Sequence, residues 1–127
     1  MIVSDARNIM SKYTKGRMFE YKCRKLLEAR GFYVVRAAGS KGLIDLVAWK
    51  RDPFFEIKTP ITYAVQCKTG SMSTQAWNEL YWLCTEICAL PILAVPNAKN
   101  RGKISWYKIL APKDKGRFRP MVEIVPQ

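Results

Sequence analysis

Between Gly16 and Arg30 the chain reads "GRMFEYKCRKLLEAR", and Phe19, Cys23, Leu26 and Leu27 recur at helical spacing with charges between them. Gly31 follows directly and suits a helix C-cap. The period then changes. "FYVVRAA" is β-branched and aromatic and reads as a strand, "GSKG" as a turn, and "LIDLVAWK" as a second strand. One face of that second strand carries Ile44, Leu46 and Ala48, and the other carries Leu43, Asp45, Val47 and Trp49. Both faces are mostly apolar, which places the strand centrally in a sheet. "RDP" turns the chain, "FFEIKT" is extended between Pro53 and Pro60, and "ITYAVQCK" is a further strand. After the loop "TGSMS", with Ser73 as N-cap, "TQAWNELYWLCTEICAL" is a second amphipathic helix. Trp77, Leu80, Leu83, Cys84, Ile87 and Cys88 share its apolar side, and Pro91 marks its end. "ILAVPNA" and "KISWYKIL" are strands joined by the basic turn "KNRG", and "MVEIV" is a last short strand. There is no internal repeat. The order predicts an α/β fold, a central mixed sheet flanked by helices. The 127 residues suit one domain, with a basic arm over residues 1–15 and a basic tail over 112–127.

Charge narrows the function. The chain carries 22 Lys+Arg against 10 Asp+Glu, a net +12, which points to a polyanionic partner, nucleic acid first. A merely solubilising surface is the bland alternative. The longest apolar runs are short and broken by proline, so no membrane span is expected. "MIVSDARNIM" lacks the apolar core of a secretion signal, so an intracellular location is expected. The thiols of Cys23, Cys67, Cys84 and Cys88 should then be reduced. Cys84 and Cys88, four apart on a helix, could share a zinc ion. With no histidine and no CxxC pair, buried structural cysteines are the better expectation.

Few acids remain to do chemistry, so their positions matter. Asp45 sits on an apolar strand and needs a partner, a metal or a proton. Gln66 and Lys68 project to one face of the next strand, where Asp45 could meet them. A carboxylate and an amide oxygen, with a backbone carbonyl nearby, form a hard-oxygen set suited to Mg²⁺. An adjacent lysine can stabilise charge on phosphate, and Glu20 offers another carboxylate. A core aspartate satisfied by hydrogen bonds is the simpler reading of Asp45.

The block "KGRMFEYKCRKLLEARGFYVVRAAGSKGLIDLVAWK", followed by "VQCKTG" and Gln75 early in a helix, resembles the archaeal-type Holliday junction resolvases of the PD-(D/E)xK nuclease superfamily. The resemblance runs over roughly residues 15–110. It implies a restriction-endonuclease-like core and a homodimer that cuts four-way DNA junctions with Mg²⁺, for which Mn²⁺ substitutes. It implies Glu20, Asp45, Gln66, Lys68 and Ser40 as catalytic positions. Asp45, Gln66, Glu20 and the Cys67 carbonyl would hold metal. Lys15, Arg17, Arg36, Lys41 and Gln75 would contact DNA.

Two departures stand out. Gln66 replaces the family's glutamate, as in Mrr-like nucleases, which are similar in using Gln-x-Lys. The insertion "RDPFFEIKTPIT" also creates a rival motif, Glu56-x-Lys58, nearer to Asp45 along the chain. Its bracketing prolines are unsuited to a central strand, and only "QCKTG" leads into a loop and helix, so Gln66 and Lys68 are favoured. Two alternatives stay open: a restriction or repair nuclease acting on duplex, flap or nicked DNA, and a branched-DNA-binding protein that cuts nothing. Trp77, Tyr81 and Trp82 could stack on bases, although core or dimer-face roles suit an amphipathic helix better.

Overall fold

The computed structural model describes residues 11–37, 42–116 and 118–127. Helix α1 spans Lys12–Ala29 and helix α2 spans Thr74–Glu86. The strands are β1 (Phe32–Arg36), β2 (Leu46–Lys50), β3 (Thr62–Cys67), β4 (Leu90–Pro96), β5 (Ile104–Ile109) and β6 (Met121–Ile124). They form one sheet in sequence order, antiparallel throughout except for β3 and β4. That parallel pair needs a crossover, and α2 supplies it.

The predicted helix faces hold. Phe19, Cys23 and Leu27 of α1 pack on Phe32, Val34, Leu46, Ala48, Val65 and Ile92. Trp77, Leu80 and Cys84 of α2 pack on the other face, against Ala64, Leu93 and Ile109. The mixed sheet therefore lies between two helices, as expected, with a core on each face. No described helix is long and apolar enough to cross a membrane.

The differences have local causes. Helix α1 begins at Lys12, inside the expected arm, because the Ser11 side chain accepts the Thr14 N–H at 3.1 Å and caps it. Residues 1–10 lie outside the described residues. The strand expected at "MVEIV" forms as β6 at the sheet edge and ties the tail to it, and Arg30 donates to the Pro126 carbonyl at 3.0 Å. Helix α2 stops at Glu86 rather than Leu90, and Cys88 turns the chain with φ +56°. Ile87 and Cys88 are consequently exposed, while Cys84 is buried, so the two cysteines do not share a site. Pro91 opens β4 instead of merely ending the helix. Ile44 packs beside Leu43 on the α2 side, because the chain enters regular strand geometry only at Leu46.

The segment 51–61 is an irregular loop, not an extended strand. Asp52 holds it by accepting the Ile57 N–H at 2.6 Å, and those backbone donors keep the Asp52 carboxyl below its usual range. This loop joins the end of β2 to the start of β3, whereas Asp45 precedes β2. The five residues of β2 separate Glu56 from Asp45 by about 16 Å of strand. Glu56 and Lys58 are exposed at the wrong end of the sheet, which removes the rival motif.

Leu80 has no exposed surface and Trp82, two residues on, is 54% exposed. Leu80→Ala should cost about 2–5 kcal/mol and lower the urea midpoint without changing the slope. Trp82→Ala should stay within about 0.5 kcal/mol of wild type.

Candidate active site

One end of the sheet collects the last residues of β1, β3 and β4 and the approach to β2. The first half of α1 crosses the same end. Together they enclose a cavity of about 700 Å³ lined by, among others, Arg17, Glu20, Arg36, Asp45, Gln66 and Lys68.

The register puts the central pair together. Leu46 pairs with Val65, so one further step sets Asp45 against Gln66. The Asp45 N–H donates to the Val65 carbonyl at 2.8 Å, and Ala37 N–H donates to the Asp45 carbonyl at 2.9 Å. The ladder thus continues past the regular strand. The Cys67 N–H donates to Asp45 Oδ2 at 2.8 Å, fixing the carboxylate beside the motif strand. Period two then sends Gln66 and Lys68 to the Asp45 side and Cys67 to the α1 side. Lys68 is anchored by its own N–H to the Ala94 carbonyl at 2.9 Å, which extends the parallel ladder by one residue.

Two features of this pair stand out energetically. Burial raises the Asp45 carboxyl above its ordinary 3.8. The Cys67 N–H opposes that rise, Glu20 reinforces it, and Lys68 and Arg36 moderate it. The Gln66 Oε1 is buried with no hydrogen-bond partner. Buried polar atoms are nearly always satisfied, so an orphaned amide oxygen beside a desolvated carboxylate marks a place for a cation. The donors are hard oxygens, and they fit a divalent ion such as Mg²⁺. Among the described residues no group of three or more His, Cys, Asp or Glu could hold a metal, and the oxygen set here includes an amide. The Cys67 thiol is pushed up by its hydrogen bond with Cys23 and by burial.

The other expected residues divide. Glu20 reaches the cavity, but its Oε1 accepts from the Arg36 guanidinium. Arg17 lines the cavity as well. Lys15 lines a neighbouring cavity with Lys22 and Lys103. Gln75 does not join the site: it is exposed and donates to Glu79 at 2.9 Å on its own helix. Ser40 and Lys41 lie outside the described residues. Sequence reasoning missed Lys12, Tyr13, Met72 and Ala76 as cavity walls. Ser11 as an N-cap was the signal for the first two, since it carries α1 one turn further back.

A family model described as archaeal Holliday junction resolvase (Hjc) matches residues 11–104. The chain belongs to the archaeal Holliday junction resolvase family. The crossover junction endodeoxyribonuclease Hjc of Methanocaldococcus jannaschii is 50% identical over 50 residues. That match covers 38% of this chain and 37% of the relative, so the chain spans little more than a third of that protein's length. The solved structure of Archaeoglobus fulgidus Hjc, a Holliday junction resolvase from an archaeal hyperthermophile, superposes with a TM-score of 0.55 at 16% identity. It covers 85% of this chain and 88% of that one, and bears out the nuclease-type α/β fold. Asp45, Gln66 and Lys68 all fall within the matched residues.

A raised carboxyl has a thermodynamic consequence. The native state keeps the Asp45 proton at pH values where the unfolded chain, near 3.8, has lost it. Stability from this group is therefore present at low pH and is lost as pH rises through the native value. Asp45→Asn keeps an oxygen for the Cys67 N–H and removes the buried charge. Without metal, its Tm at pH 7 should exceed that of wild type, and the gap should close below pH 3.8. A lower Tm at pH 7 in calorimetry would contradict the burial cost.

Proposed function

We propose that the protein is a divalent-metal-dependent, structure-selective DNA endonuclease that cuts four-way junctions by phosphodiester hydrolysis. One observation carries this reading: Gln66, whose buried oxygen is orphaned, stands opposite the half-buried Asp45 in the sheet register, and both line with Lys68 a cavity that also holds Arg17 and Arg36. Family membership supports the substrate class.

Asp45 and Gln66 would hold the ion, Mg²⁺ or Mn²⁺, with the Cys67 carbonyl at hand and Glu20 in reserve. When bound, the ion supplies Lewis acidity at the scissile phosphate and makes water a competent nucleophile near neutral pH. The chain's own residues do the rest. The Cys67 N–H holds one Asp45 oxygen and leaves the other directed to the site. The Lys68 ammonium offsets the negative charge that grows on the phosphate oxygens during attack. Arg36 and Arg17 draw the polyanion to the cavity mouth, and the net +12 raises its local concentration. Hydrolysis forms a P–O bond to the water oxygen, breaks the P–O bond to the leaving oxygen, and passes the water proton to that oxygen. Resolving a four-way junction takes two symmetric cuts, so a two-fold homodimer is part of the proposal.

With a labelled four-way junction and Mg²⁺, wild type should make paired symmetric nicks. Asp45→Ala should slow cutting by about 10²–10³-fold. An Asp45→Ala variant as fast as wild type would overturn the assignment, and equal cutting of linear duplex would remove the junction preference. Junction binding without cleavage in Mg²⁺ or Mn²⁺ would leave a binding protein.

Gln66→Glu adds a negative charge to the ligand set. Its half-saturating Mg²⁺ concentration should fall. An unchanged metal dependence would mean that Gln66 is not a ligand.

A further inference from the structure

Next to the catalytic cavity, α1 and the sheet enclose a smaller one of about 230 Å³, lined by Arg17, Glu20, Tyr21, Arg24, Arg36 and Leu46. Three guanidinium groups face a single carboxylate. That carboxylate, Glu20, is already engaged by Arg36. Arg17 rests on Tyr13, with its charge 5.8 Å from the ring centre and Nη1 3.3 Å from the hydroxyl. Neither contact neutralises it.

Arg24 is the unusual member. Its Nε is shielded from solvent without a hydrogen-bond partner, although the side chain is 41% exposed. Among the described residues its only acid contact is a loose ion pair, Glu28 Oε1 at 3.6 Å, which Lys25 shares at 3.8 Å and which does not line the cavity. The cavity lining therefore gathers three guanidinium groups against one carboxylate, an excess of positive charge that suits an anionic oxygen. A space of 230 Å³ exceeds the roughly 30 Å³ share of one water and falls short of the roughly 300–1,000 Å³ of small-molecule pockets. A phosphate group matches both the size and the donors.

The two cavities share Arg17, Glu20 and Arg36. An anion in the smaller one therefore sits directly beside the proposed scissile position. We propose that this cavity is a second phosphate subsite, which takes the backbone phosphodiester flanking the one that is cut. The inference rests on the endonuclease reading. Arg24 anchors the flanking phosphate with its fork of donors, Arg17 bridges the two positions, and Tyr21 lies against the adjoining sugar. The subsite fixes the register of the strand, so that a particular phosphodiester meets Asp45 and Lys68.

The test is a binding cycle with the full chain and a fluorescent four-way junction, in the absence of divalent metal. Single neutral methylphosphonates are placed in turn at each phosphate around the cut. Arg24→Gln should weaken binding about tenfold and lessen the slope of log K against log salt by about 0.9. One flanking methylphosphonate should weaken wild type by a similar factor and leave Arg24→Gln unchanged, the non-additivity of a shared contact. Arg24→Lys should restore the salt slope. An unchanged slope in Arg24→Gln, or losses that add at every position, would overturn the subsite while wild-type cutting still upheld the endonuclease. A wild type that neither bound nor cut the junction would overturn both.

Discussion

A single hydrogen bond, from the Cys67 amide to Asp45 Oδ2, ties the two halves of the site together. It joins a residue that precedes one strand to a residue that ends the next. The sheet register brings them within reach, and the bond then sets the carboxylate against the Gln66 side chain. The arrangement is internally costly. Burial disfavours the Asp45 charge, and the Gln66 oxygen has no donor. In the proposed reading, one divalent cation between two hard oxygens relieves both costs. The stability these two groups withhold is the counterpart of the affinity proposed for metal.

Around that pair the chain separates its charges by function. Among the described residues the acidic groups lining this cavity are Asp45 and Glu20, and Arg36 restrains Glu20. Arginines surround them and continue into the neighbouring cavity. In the proposed reading, nucleic acid is held by cations and the metal by a small oxygen set. With an amide at position 66, less charge opposes the approach of DNA phosphates. The same substitution leaves less charge to hold metal, and that balance is the chemical distinction of this chain.

Most of the fold was legible because burial is periodic. Phe19, Cys23 and Leu27, and Trp77, Leu80 and Cys84, announced two helix faces, and both pack where they should. The choice of Gln66 over Glu56 was legible too, because Pro53 and Pro60 are hard to place in a central strand. Topology gives the fuller reason, since the Glu56 loop is at the far end of β2. Long-range pairings were not legible. No local pattern links Arg36 to Glu20, or sends Gln75 to Glu79 rather than to the cavity. The ends of the helices turned on short-range details, the Ser11 cap and the positive φ at Cys88, that a hydrophobic stripe does not reveal.

The most direct measurement of the metal pair is anomalous diffraction from crystals soaked in Mn²⁺. The expected result is one strong peak bonded to both the Asp45 carboxylate and Gln66 Oε1. A peak that touches Asp45 and Glu20 while Gln66 points away, or no peak in this cavity at saturating Mn²⁺, would contradict the pairing of carboxylate and amide.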